Sequence, residues 1–399
     1  MGALMKYIKR DSYLNQLIRF SKTQDIKVIT GVRRSGKSVL LEMFKEYLLK
    51  HEDNINIVSI NLQELEYDYL LDYHFLHQYV MEHYAEGKYN VLMIDEIQLC
   101  SKFELVINSL HTKNIYDIYI TGSNAFLLSS DLATLFTGRT MQVKVFPFSY
   151  KEYTDCVGKS KENLLDEYVV YGGLPGVYAY ADSTGKTSYI KDLYETILIR
   201  DLVQKYHIQN VRDFNAIAEY LMDNIGNISS MNSMEKSLKS EKFDVTRKTL
   251  SNYVNYLKNA FMFYEVKRYD LKGKKYLETL TKFYLCDTGM CYAVNGTRNM
   301  DYGRAYENVV AIELLRRGYD VYIGKLYQKE IDFVAKKSRE LLYIQVSDSI
   351  SEQSTFEREV SPLMQIKDNY PKLLLARTKH PKYDYNGIEI IDLEEWLLK

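Results

Sequence analysis

Glycine, lysine and serine occur at fixed spacing near the start of the chain, in the stretch TGVRRSGKSVLLEMF (residues 30–44). Gly31 and Gly36 enclose four residues, and Lys37 and Ser38 follow directly. Glycines let a backbone curl around an anion, and a helix that begins after them directs its positive end at the same point. An ammonium and a hydroxyl complete the chemistry that holds a triphosphate and its magnesium ion. The pattern therefore predicts an ATP-binding loop.

Most residues of this loop are expected to contact ATP or Mg²⁺. Lys37 is expected to contact the β- and γ-phosphates and to be catalytic, and Ser38 to bind the metal. Arg33 and Arg34 could hold phosphate or reach a partner's acidic surface, although plain solvation is the simpler explanation. The predicted nucleotide-binding residues are Gly31, Arg33, Arg34, Ser35, Gly36, Lys37, Ser38 and Val39.

Two acids follow an apolar run in the stretch NVLMIDEIQ, which ends its hydrophobic part at Asp95 and Glu96. A carboxylate at the end of a buried strand is costly unless it has a task there. We expect Asp95 to hold Mg²⁺, directly or through water, and Glu96 to orient and activate the attacking water. Glu96 extends the prediction from nucleotide binding to hydrolysis.

Polar residues also follow the next apolar run, YDIYITGSN, which ends in Thr121, Gly122, Ser123 and Asn124. Ser123 or Asn124 could contact the γ-phosphate or the attacking water, or could cap the following helix. Arg139, in TGRT, could stabilise transition-state charge or lie on the surface. An arginine that acts across a subunit contact requires a homo-oligomer.

Alternating strands and helices must bring these residues together. Several of the apolar runs are apolar on both faces, which is typical of a parallel sheet with helices on both sides. The predicted strands are IKVIT, INIVSINL, YNVLMID, YDIYITGS and TMQVKVF. The predicted helices lie near 37–50, 70–84, 101–112 and 124–136. The expected class is α/β, with the fold of P-loop NTPases.

Length, charge and cysteine content set the outer limits. A chain of 399 residues predicts two or three domains. Its net charge of −1 excludes an attraction of the whole protein to nucleic acid, so any such attraction must come from a local basic surface. The spacing of the four cysteines does not match a zinc site, so reduced thiols are expected. Without a signal peptide or a membrane-length apolar run, we expect a cytoplasmic protein with no membrane partner.

The C-terminal half begins with helices between about 190 and 260. One of them carries an apolar stripe, with Asp244 or Thr246 as its cap. The stripe comprises Leu250, Val254 and Leu257. A β-hairpin with Gly273 in its turn follows, and after Asp301 come a helix, three strands and a final α/β stretch.

Eight segments in this order resemble one family. They are GVRRSGKS, MIDEIQ, ITGSNAFLLS, LFTGR…VFPFSYKEY, YGGLPGV, KFYLCDTGM, GRAYENVV and EIDFV. The chain resembles prokaryotic P-loop ATPases of the AAA type that carry a C-terminal domain of unknown function. The resemblance implies an ATPase core at 1–150, a helical linker or lid at 151–200, a winged helix at 201–290 and a restriction-endonuclease-like domain at 291–399.

The implied winged helix is basic. The segment 236–275 holds 11 Lys or Arg and four Asp or Glu, a local charge of +7. Such a segment could follow a DNA backbone, or it could dock a protein partner. The residues expected to face DNA are Arg247, Lys248, Ser251 and Asn252 on the helix, with Lys267, Arg268, Lys272, Lys274 and Lys275 on the wing.

The implied endonuclease-like domain departs from the family's site. Glu307 and Asp332 stand where metal-binding acids are expected, but the third position reads Gln345-Val346-Ser347. Gln345 brings no negative charge, and Ser347 brings no ammonium. We expect this domain to lack nuclease activity and to serve binding or assembly, with an ATP-regulated nuclease as the weaker alternative.

Two function hypotheses follow. The first is a Mg²⁺-dependent ATPase that couples its nucleotide state to a DNA-binding or DNA-associated C-terminal half. The second is a nucleotide-dependent switch that docks a protein partner in signalling or defence.

Six acids and no Lys or Arg lie between Asn61 and Gly87, a composition typical of a solvated face.

Overall fold

The computed structural model describes residues 8–122, 136, 138–158, 163–296 and 300–399. The chain divides into two compact units. The first comprises Met1–Phe146 with Asn259–Phe261, and the second comprises Pro147–Lys258 with Met262–Lys399. The helix predicted near 124–136 falls on residues outside the described ranges, apart from Phe136.

The first unit alternates strands and helices, as its apolar pattern predicts. Its elements in chain order are α1 (Asp11–Phe20), β1 (Ile26–Thr30), α2 (Lys37–His51), β2 (Ile55–Asn61), a 3-10 helix (Leu65–Leu71), α3 (Tyr73–Glu82), β3 (Tyr89–Asp95), a short 3-10 turn (Ile97–Leu99), α4 (Phe103–Lys113), β4 (Asp117–Thr121) and β5 (Thr140–Lys144). The predicted helix near 70–84 begins at Tyr73, because Asp72 caps it by accepting a hydrogen bond from the N–H of His74 at 2.8 Å.

The five strands of the first unit form one parallel sheet with the order β2-β3-β4-β1-β5. Strands β1 and β4 are buried along their whole length, and β3 is buried from Asn90 onward. Apolar residues on both faces suit central strands that are covered on both sides. Because β4 lies between β1 and β3, the ends of these three strands are neighbours.

Helices cover both faces of this sheet. On one face, Leu76 of α3 and Leu110 of α4 pack with Ile94 of β3. On the other face, Phe44 of α2 packs with Met93 of β3. Successive residues of a strand point to opposite faces, so Met93 and Ile94 serve different layers. This arrangement confirms the predicted α/β class.

The second unit begins with helices. They are α5 (Tyr150–Val157), α6 (Leu164–Tyr171), a 3-10 helix (Pro175–Ala179), α7 (Ser183–Glu195) with a π-helical continuation (Thr196–Val203) and a last turn (Gln204–Tyr206), α8 (Val211–Asp223), α9 (Met231–Ser240) and α10 (Arg247–Asn259). The predicted stripe of α10 is buried, at Leu250, Val254 and Leu257. Thr246 caps the helix, because its hydroxyl accepts a hydrogen bond from the N–H of Thr249 at 3.2 Å.

An eight-stranded sheet follows. Its elements are β6 (Phe263–Asp270), β7 (Lys275–Leu285), α11 (Thr288–Asn295), α12 (Tyr302–Arg316), β8 (Asp320–Leu326), β9 (Lys329–Lys337), β10 (Glu340–Ser347), α13 (Gln353–Met364), β11 (Lys372–Ala376), β12 (Tyr383–Tyr385), β13 (Ile388–Asp392) and α14 (Leu393–Leu398). The predicted hairpin is β6–β7, and the strand order is β12-β13-β11-β10-β9-β8-β6-β7. Strand β6 pairs in parallel with β8, so the hairpin belongs to the same sheet as the C-terminal strands.

A buried carboxylate joins two glycine-containing segments of the second unit. Asp287 accepts hydrogen bonds from the N–H of Gly173 at 2.7 Å and from that of Gly289 at 2.9 Å. A Cβ at Gly172 would lie 1.6 Å from an Asp287 oxygen, so this close approach requires glycine. Burial raises the pKa of Asp287 to about 6, although these N–H groups act in the opposite direction.

Candidate functional site

Two glycines shape the turn between β1 and α2. Gly31 has a φ of +147°, and a Cβ there would lie 2.0 Å from the carbonyl oxygen of Val145. Gly36 has a φ of +95° and is the residue that precedes the helix. A side chain is strained at both positions, and at Gly31 it would also displace the chain that leaves β5. The predicted glycine spacing is therefore a requirement of this backbone.

Lys37 is the first residue of α2, and its ammonium turns back over the loop. Its Nζ donates to the carbonyl oxygens of Gly31 and Val32, at 3.0 Å each, and the residue is buried. These two carbonyl contacts hold the ammonium at the loop, where it also interacts with the Asp95 carboxylate. The positive charge at the loop can therefore attract an anion.

The loop also contains a buried hydroxyl. Ser35 is fully buried, and within the described part of the chain its Oγ has no hydrogen-bond partner. An unsatisfied buried hydroxyl costs about 1–3 kcal/mol, so a ligand that brings oxygen acceptors is favoured here. The glycine cradle, the Lys37 charge and this hydroxyl fit a phosphate chain.

The acid at the end of β3 lies beside the loop. The Asp95 carboxylate accepts hydrogen bonds from the hydroxyls of Ser38 and Thr121. Burial raises the pKa of Asp95 above its ordinary value, while these two hydrogen bonds and the Lys37 ammonium act in the opposite direction. A hydroxyl and a carboxylate side by side are ligands of the kind that Mg²⁺ prefers. The structure therefore brings together the two predicted metal ligands.

Glu96 follows with an unusual backbone. Its φ is +54°, in the left-handed region, and its N–H donates to the Thr121 hydroxyl at 3.1 Å. The Gln98 side-chain amide donates to the Glu96 carboxylate. A non-glycine residue in this region is held there by its surroundings, an arrangement found often at functional sites. The sequence pattern did not reveal the roles of Thr121 and Gln98, although Gln98 lies two residues after Glu96 and Thr121 ends the next predicted strand.

Arg10 contacts the backbone of the loop between β1 and α2. Its guanidinium donates to the carbonyl oxygen of Ser35 at 2.8 Å and to that of Phe146 at 2.9 Å, and it lies 4.5 Å from the Tyr13 ring centroid. The Tyr13 hydroxyl accepts a hydrogen bond from the N–H of Phe146 at 3.2 Å. Sequence reasoning missed Arg10, because a single arginine before a helix matches no motif.

The other predicted site residues lie further out. Arg34 is exposed with a φ of +61°, Arg33 is half-buried, and Val39 is half-buried in the first turn of α2. Arg139 is exposed, and its side chain forms no ion pair with the described residues. Ser123 falls on residues outside the described ranges, so its role remains a prediction.

A second group of charged residues lies in the C-terminal sheet. The Lys282 ammonium of β7 is 2.8 Å from Glu307 Oε1 and 2.7 Å from Glu330 Oε1. The Tyr284 hydroxyl also donates to Glu307, at 2.6 Å. Burial and the neighbouring Glu307 raise the pKa of Asp332 well above its ordinary value. Lys282, which sequence reasoning missed, therefore supplies an ammonium to these acids from a different strand.

Polar contacts also hold residues 345–347, the altered third position of the expected nuclease site. The Gln345 side-chain amide donates to Glu359 at 3.0 Å, and the N–H of Val346 donates to Asp332 at 2.8 Å. The Ser347 hydroxyl donates to the carbonyl oxygen of Ser349 at 2.8 Å. Among the described ranges, no three His, Cys, Asp or Glu side chains are grouped so as to hold a metal ion. Gln345 and Ser347 are thus held by hydrogen bonds to a neighbouring side chain and to the backbone.

The geometry now defines a class. A phosphate-type loop follows β1, and Asp95 and Glu96 stand at the end of β3. Strand β4 lies between β1 and β3 in the parallel sheet. This arrangement is the fold of a P-loop ATPase. Residues 23–154 match the family model "AAA domain", and residues 162–301 match a domain of unknown function (DUF8612). The chain therefore carries an AAA-type ATPase domain followed by that second domain.

Relatives extend along the whole chain. An uncharacterized protein of Haemophilus influenzae is 38% identical over 399 residues, which covers 98% of this chain and 99% of that protein. The chain belongs to the same family as that protein. An uncharacterized protein of Methanocaldococcus jannaschii is 26% identical over 394 residues, covering 93% of this chain and 85% of that protein.

One solved structure supports the fold. The Walker-type ATPase of Pyrococcus abyssi has a TM-score of 0.50 and 13% identity, and the match covers 72% of this chain and 96% of that one. At this identity the likeness concerns the fold alone. Separately, none of the helices in the described ranges has the length and apolar character to cross a membrane.

Proposed function

We propose that the protein is a Mg²⁺-dependent ATPase whose nucleotide state controls a DNA-associated C-terminal half. The observation that carries the ATPase part is the set of contacts from Ser38 through Asp95 to Thr121. These contacts join the phosphate loop, the acid pair and the end of β4. The membership of residues 23–154 in the AAA domain family supports the same conclusion.

Each side chain then has a distinct task. Lys37 would pair with the β- and γ-phosphates, and Ser38 and Asp95 would hold Mg²⁺, which neutralises phosphate charge when bound. Glu96 would orient the attacking water and accept its proton, with Gln98 holding the carboxylate. Arg139 is proposed to stabilise transition-state charge, within the chain or across a subunit contact.

Nucleotide binding and turnover test this part. The wild-type protein should bind a fluorescent ATP analogue more tightly with Mg²⁺ than with EDTA, and it should release phosphate. Asp95→Asn should reduce the benefit of Mg²⁺, while Asp53→Asn, in an exposed loop, should not. A wild-type protein that binds no ATP at millimolar concentration would contradict the proposal.

Interpreting part of the second unit as a winged helix supports association with DNA. Three helices, α8 to α10, precede the hairpin β6–β7, and Ser229 between α8 and α9 pairs with Thr281 of β7 through backbone hydrogen bonds of 2.8 and 3.0 Å. The stripe of α10 is buried, and Arg247, Lys248 and Asn252 are exposed. Exposed cations on such a helix suit contact with phosphate groups.

A salt titration tests the DNA part. We expect the wild-type protein to bind a DNA duplex with an affinity that falls steeply with salt. The double variant Arg247→Ala/Lys248→Ala should reduce the slope of log affinity against log salt by about two. The matched control Arg339→Ala/Lys367→Ala removes two exposed cations elsewhere and should leave the slope unchanged. Affinity that does not respond to salt would count against the proposal.

One observation favours the second candidate function, a nucleotide-dependent switch that docks a protein. Between the acids of the 61–87 segment, Leu65 is 87% exposed, Tyr69 53% and Phe75 55%. Exposed apolar side chains among carboxylates suit a basic, partly apolar protein surface. This surface is unsuitable for nucleic acid, because its charge is negative.

Turnover with and without DNA separates the two functions. Stimulation of ATP hydrolysis by DNA supports the first proposal. Indifference to DNA, together with protein capture that requires ATP and is lost in Leu65→Ser/Phe75→Ser, supports the second. Leu105→Ser, at another exposed leucine of the first unit, is the control. For the weaker nuclease alternative, we expect plasmid DNA to remain uncut with Mg²⁺ or Mn²⁺, as it should with Asp332→Ala.

A further inference from the structure

A cleft of about 340 Å³ lies in the second unit, between α7 with its π-helical continuation, α8 and α11. Clefts of this volume accommodate small organic molecules. The cleft is built entirely from residues of the second unit, and none of them belongs to the phosphate loop or to the Lys282 group.

Two residues that line this cleft each carry a buried polar atom with unsatisfied hydrogen-bonding capacity. Tyr194 is only 6% exposed, and its hydroxyl has no hydrogen-bond partner in the described part of the chain. The side-chain carbonyl oxygen of Asn215 is likewise buried without a partner there. Each such atom is destabilising until something binds to it. Both residues line the same cleft, so one ligand that draws these side chains towards it can satisfy both atoms.

The backbone beside the cleft is also unusual. The helix from Thr196 to Val203 is π-helical, and the N–H of Gln204 bonds to the carbonyl oxygen of Ile199, five residues earlier. Single π turns within helices occur often at functional sites. Here the widened turn contributes Leu198 and Ile199 to the wall of the cleft.

The charges around the cleft are mainly negative. Glu195 and Glu219 line it and are exposed, and neither forms an ion pair with the described residues. Lys191 is the one basic residue among those that line it in the described ranges. Burial raises the pKa of the Tyr194 hydroxyl, and the nearby Glu219 and Asp223 raise it further, so this hydroxyl stays protonated.

We infer that this cleft binds a small organic cation, an ammonium or guanidinium group on a short aliphatic stem. The cationic head donates hydrogen bonds to the carboxylates of Glu195 and Glu219 and to the carbonyl oxygen of Asn215. The Tyr194 hydroxyl accepts a further one. The stem packs against Leu198 and Val294, which form the apolar side of the cleft. A free amine and a basic side chain of a partner protein share this chemistry.

Titration calorimetry with the full chain tests the inference. We expect n-butylammonium and n-butylguanidinium to bind with millimolar or better affinity, and pentanoate, an anion of similar size, to bind at least 10-fold more weakly. Glu219→Gln should weaken cation binding by about 10-fold, because it removes one full charge near the head. The control Glu235→Gln, on α9, should bind as the wild type does.

A second variant separates binding from folding. Tyr194→Phe removes the unsatisfied hydroxyl, so we expect a free protein at least as heat-stable as the wild type and a weaker affinity for the cation. A structural role alone would change the melting temperature and leave the affinity unaltered. Equal binding of cation and anion, or no binding of either, would overturn the inference. So would a crystal soaked in n-butylguanidinium in which water alone occupies the Tyr194 and Asn215 positions.

Two further probes identify the source of the cation. Spermidine represents a free amine, and an arginine tetrapeptide with blocked ends represents a partner's side chain. Binding of spermidine alone indicates a free amine, and binding of the peptide indicates a protein partner. Loss of either signal in Glu219→Gln ties it to this cleft.

Discussion

Lys37 and Lys282 are both buried lysines beside acids, yet the hydrogen bonds that hold them differ. The Lys37 ammonium donates to two carbonyl oxygens of its own loop. The Lys282 ammonium lies within 2.8 Å of two carboxylates, Glu307 and Glu330. Two carbonyl oxygens hold the Lys37 ammonium at the loop, where it also interacts with the Asp95 carboxylate, whereas two carboxylates at hydrogen-bonding distance offset the charge of Lys282. Both sites combine a buried lysine with nearby acids, so the groups that contact each ammonium decide what that lysine can do.

The energetics of the two lysines follow from these partners. Burial lowers the pKa of Lys282, but Glu307, Asp332 and Glu330 outweigh this effect and raise it above the ordinary value. Such a lysine is charged because the protein surrounds it with acids, and removing it leaves those acids buried and unpaired. Lys37 should therefore matter for ligand binding, and Lys282 for stability.

The largest expected effect is on ATP binding. Lys37→Ala removes the full charge at the loop, so ATP affinity should fall roughly 1000-fold, as for loss of one partner of a buried charge pair. Lys45→Ala, at a half-exposed lysine of the same helix that pairs with Glu42, is the matched control and should bind ATP normally. Fluorescence titration measures both. Near-normal affinity in Lys37→Ala would remove the contrast between the two lysines.

The second prediction concerns Glu96, the acid that follows Asp95 at the end of β3. Glu96→Gln keeps the shape of the side chain but removes the base, so turnover should fall roughly 1000-fold with ATP affinity almost unchanged. Glu104→Gln, on α4, should turn over ATP as the wild type does. Single-turnover phosphate release is the measurement. Wild-type turnover in Glu96→Gln would assign the base to another residue.

The third prediction addresses Lys282. Lys282→Met should lower the free energy of unfolding by about 3 kcal/mol, because Glu307 and Glu330 then lack a positive partner. Lys275→Met, at an exposed position on the same strand, should change it little. Adding Glu307→Gln to Lys282→Met should recover part of the loss. Urea unfolding measures all three, and unchanged stability in Lys282→Met would show that its charge is not balanced as the distances indicate.

The smallest expected effect is a pH dependence at Asp287, a buried carboxylate held by N–H groups. Its folded-state pKa of about 6 exceeds the ordinary 3.8, so between these values the folded protein binds the proton more readily than the unfolded chain. The free energy of unfolding should therefore fall as pH rises from 4 to 6, on the order of 2 kcal/mol.

Asp287→Asn is the comparison for this pH dependence, because an amide does not titrate in this range. Urea unfolding at pH 4.5, 5.5 and 7 should show a smaller decline in Asp287→Asn than in the wild type. Parallel declines in the two proteins would contradict the raised pKa.

The strands and the loop could be predicted because the sequence encodes them locally. The apolar runs predict β1 to β5, and the glycine spacing predicts the turn at Gly31 and Gly36. The position of β4 between β1 and β3 depends on packing between distant segments, so the contact of Thr121 with Asp95 could not be foreseen. Lys282 reaches Glu307 from a hairpin strand, and Arg10 reaches Phe146 across 136 residues. No local pattern reports such contacts.

The pairing of β6 with β8 has a mechanical consequence. Arg268, Tyr269 and Asp270 near the tip of the hairpin pair with Ile323, Gly324 and Lys325 of β8. A force on the exposed tip would be shared among the backbone hydrogen bonds of an eight-stranded sheet. Because pairing with β8 already orders residues 268–270 of the hairpin, a partner that binds this part would lose little entropy in ordering it.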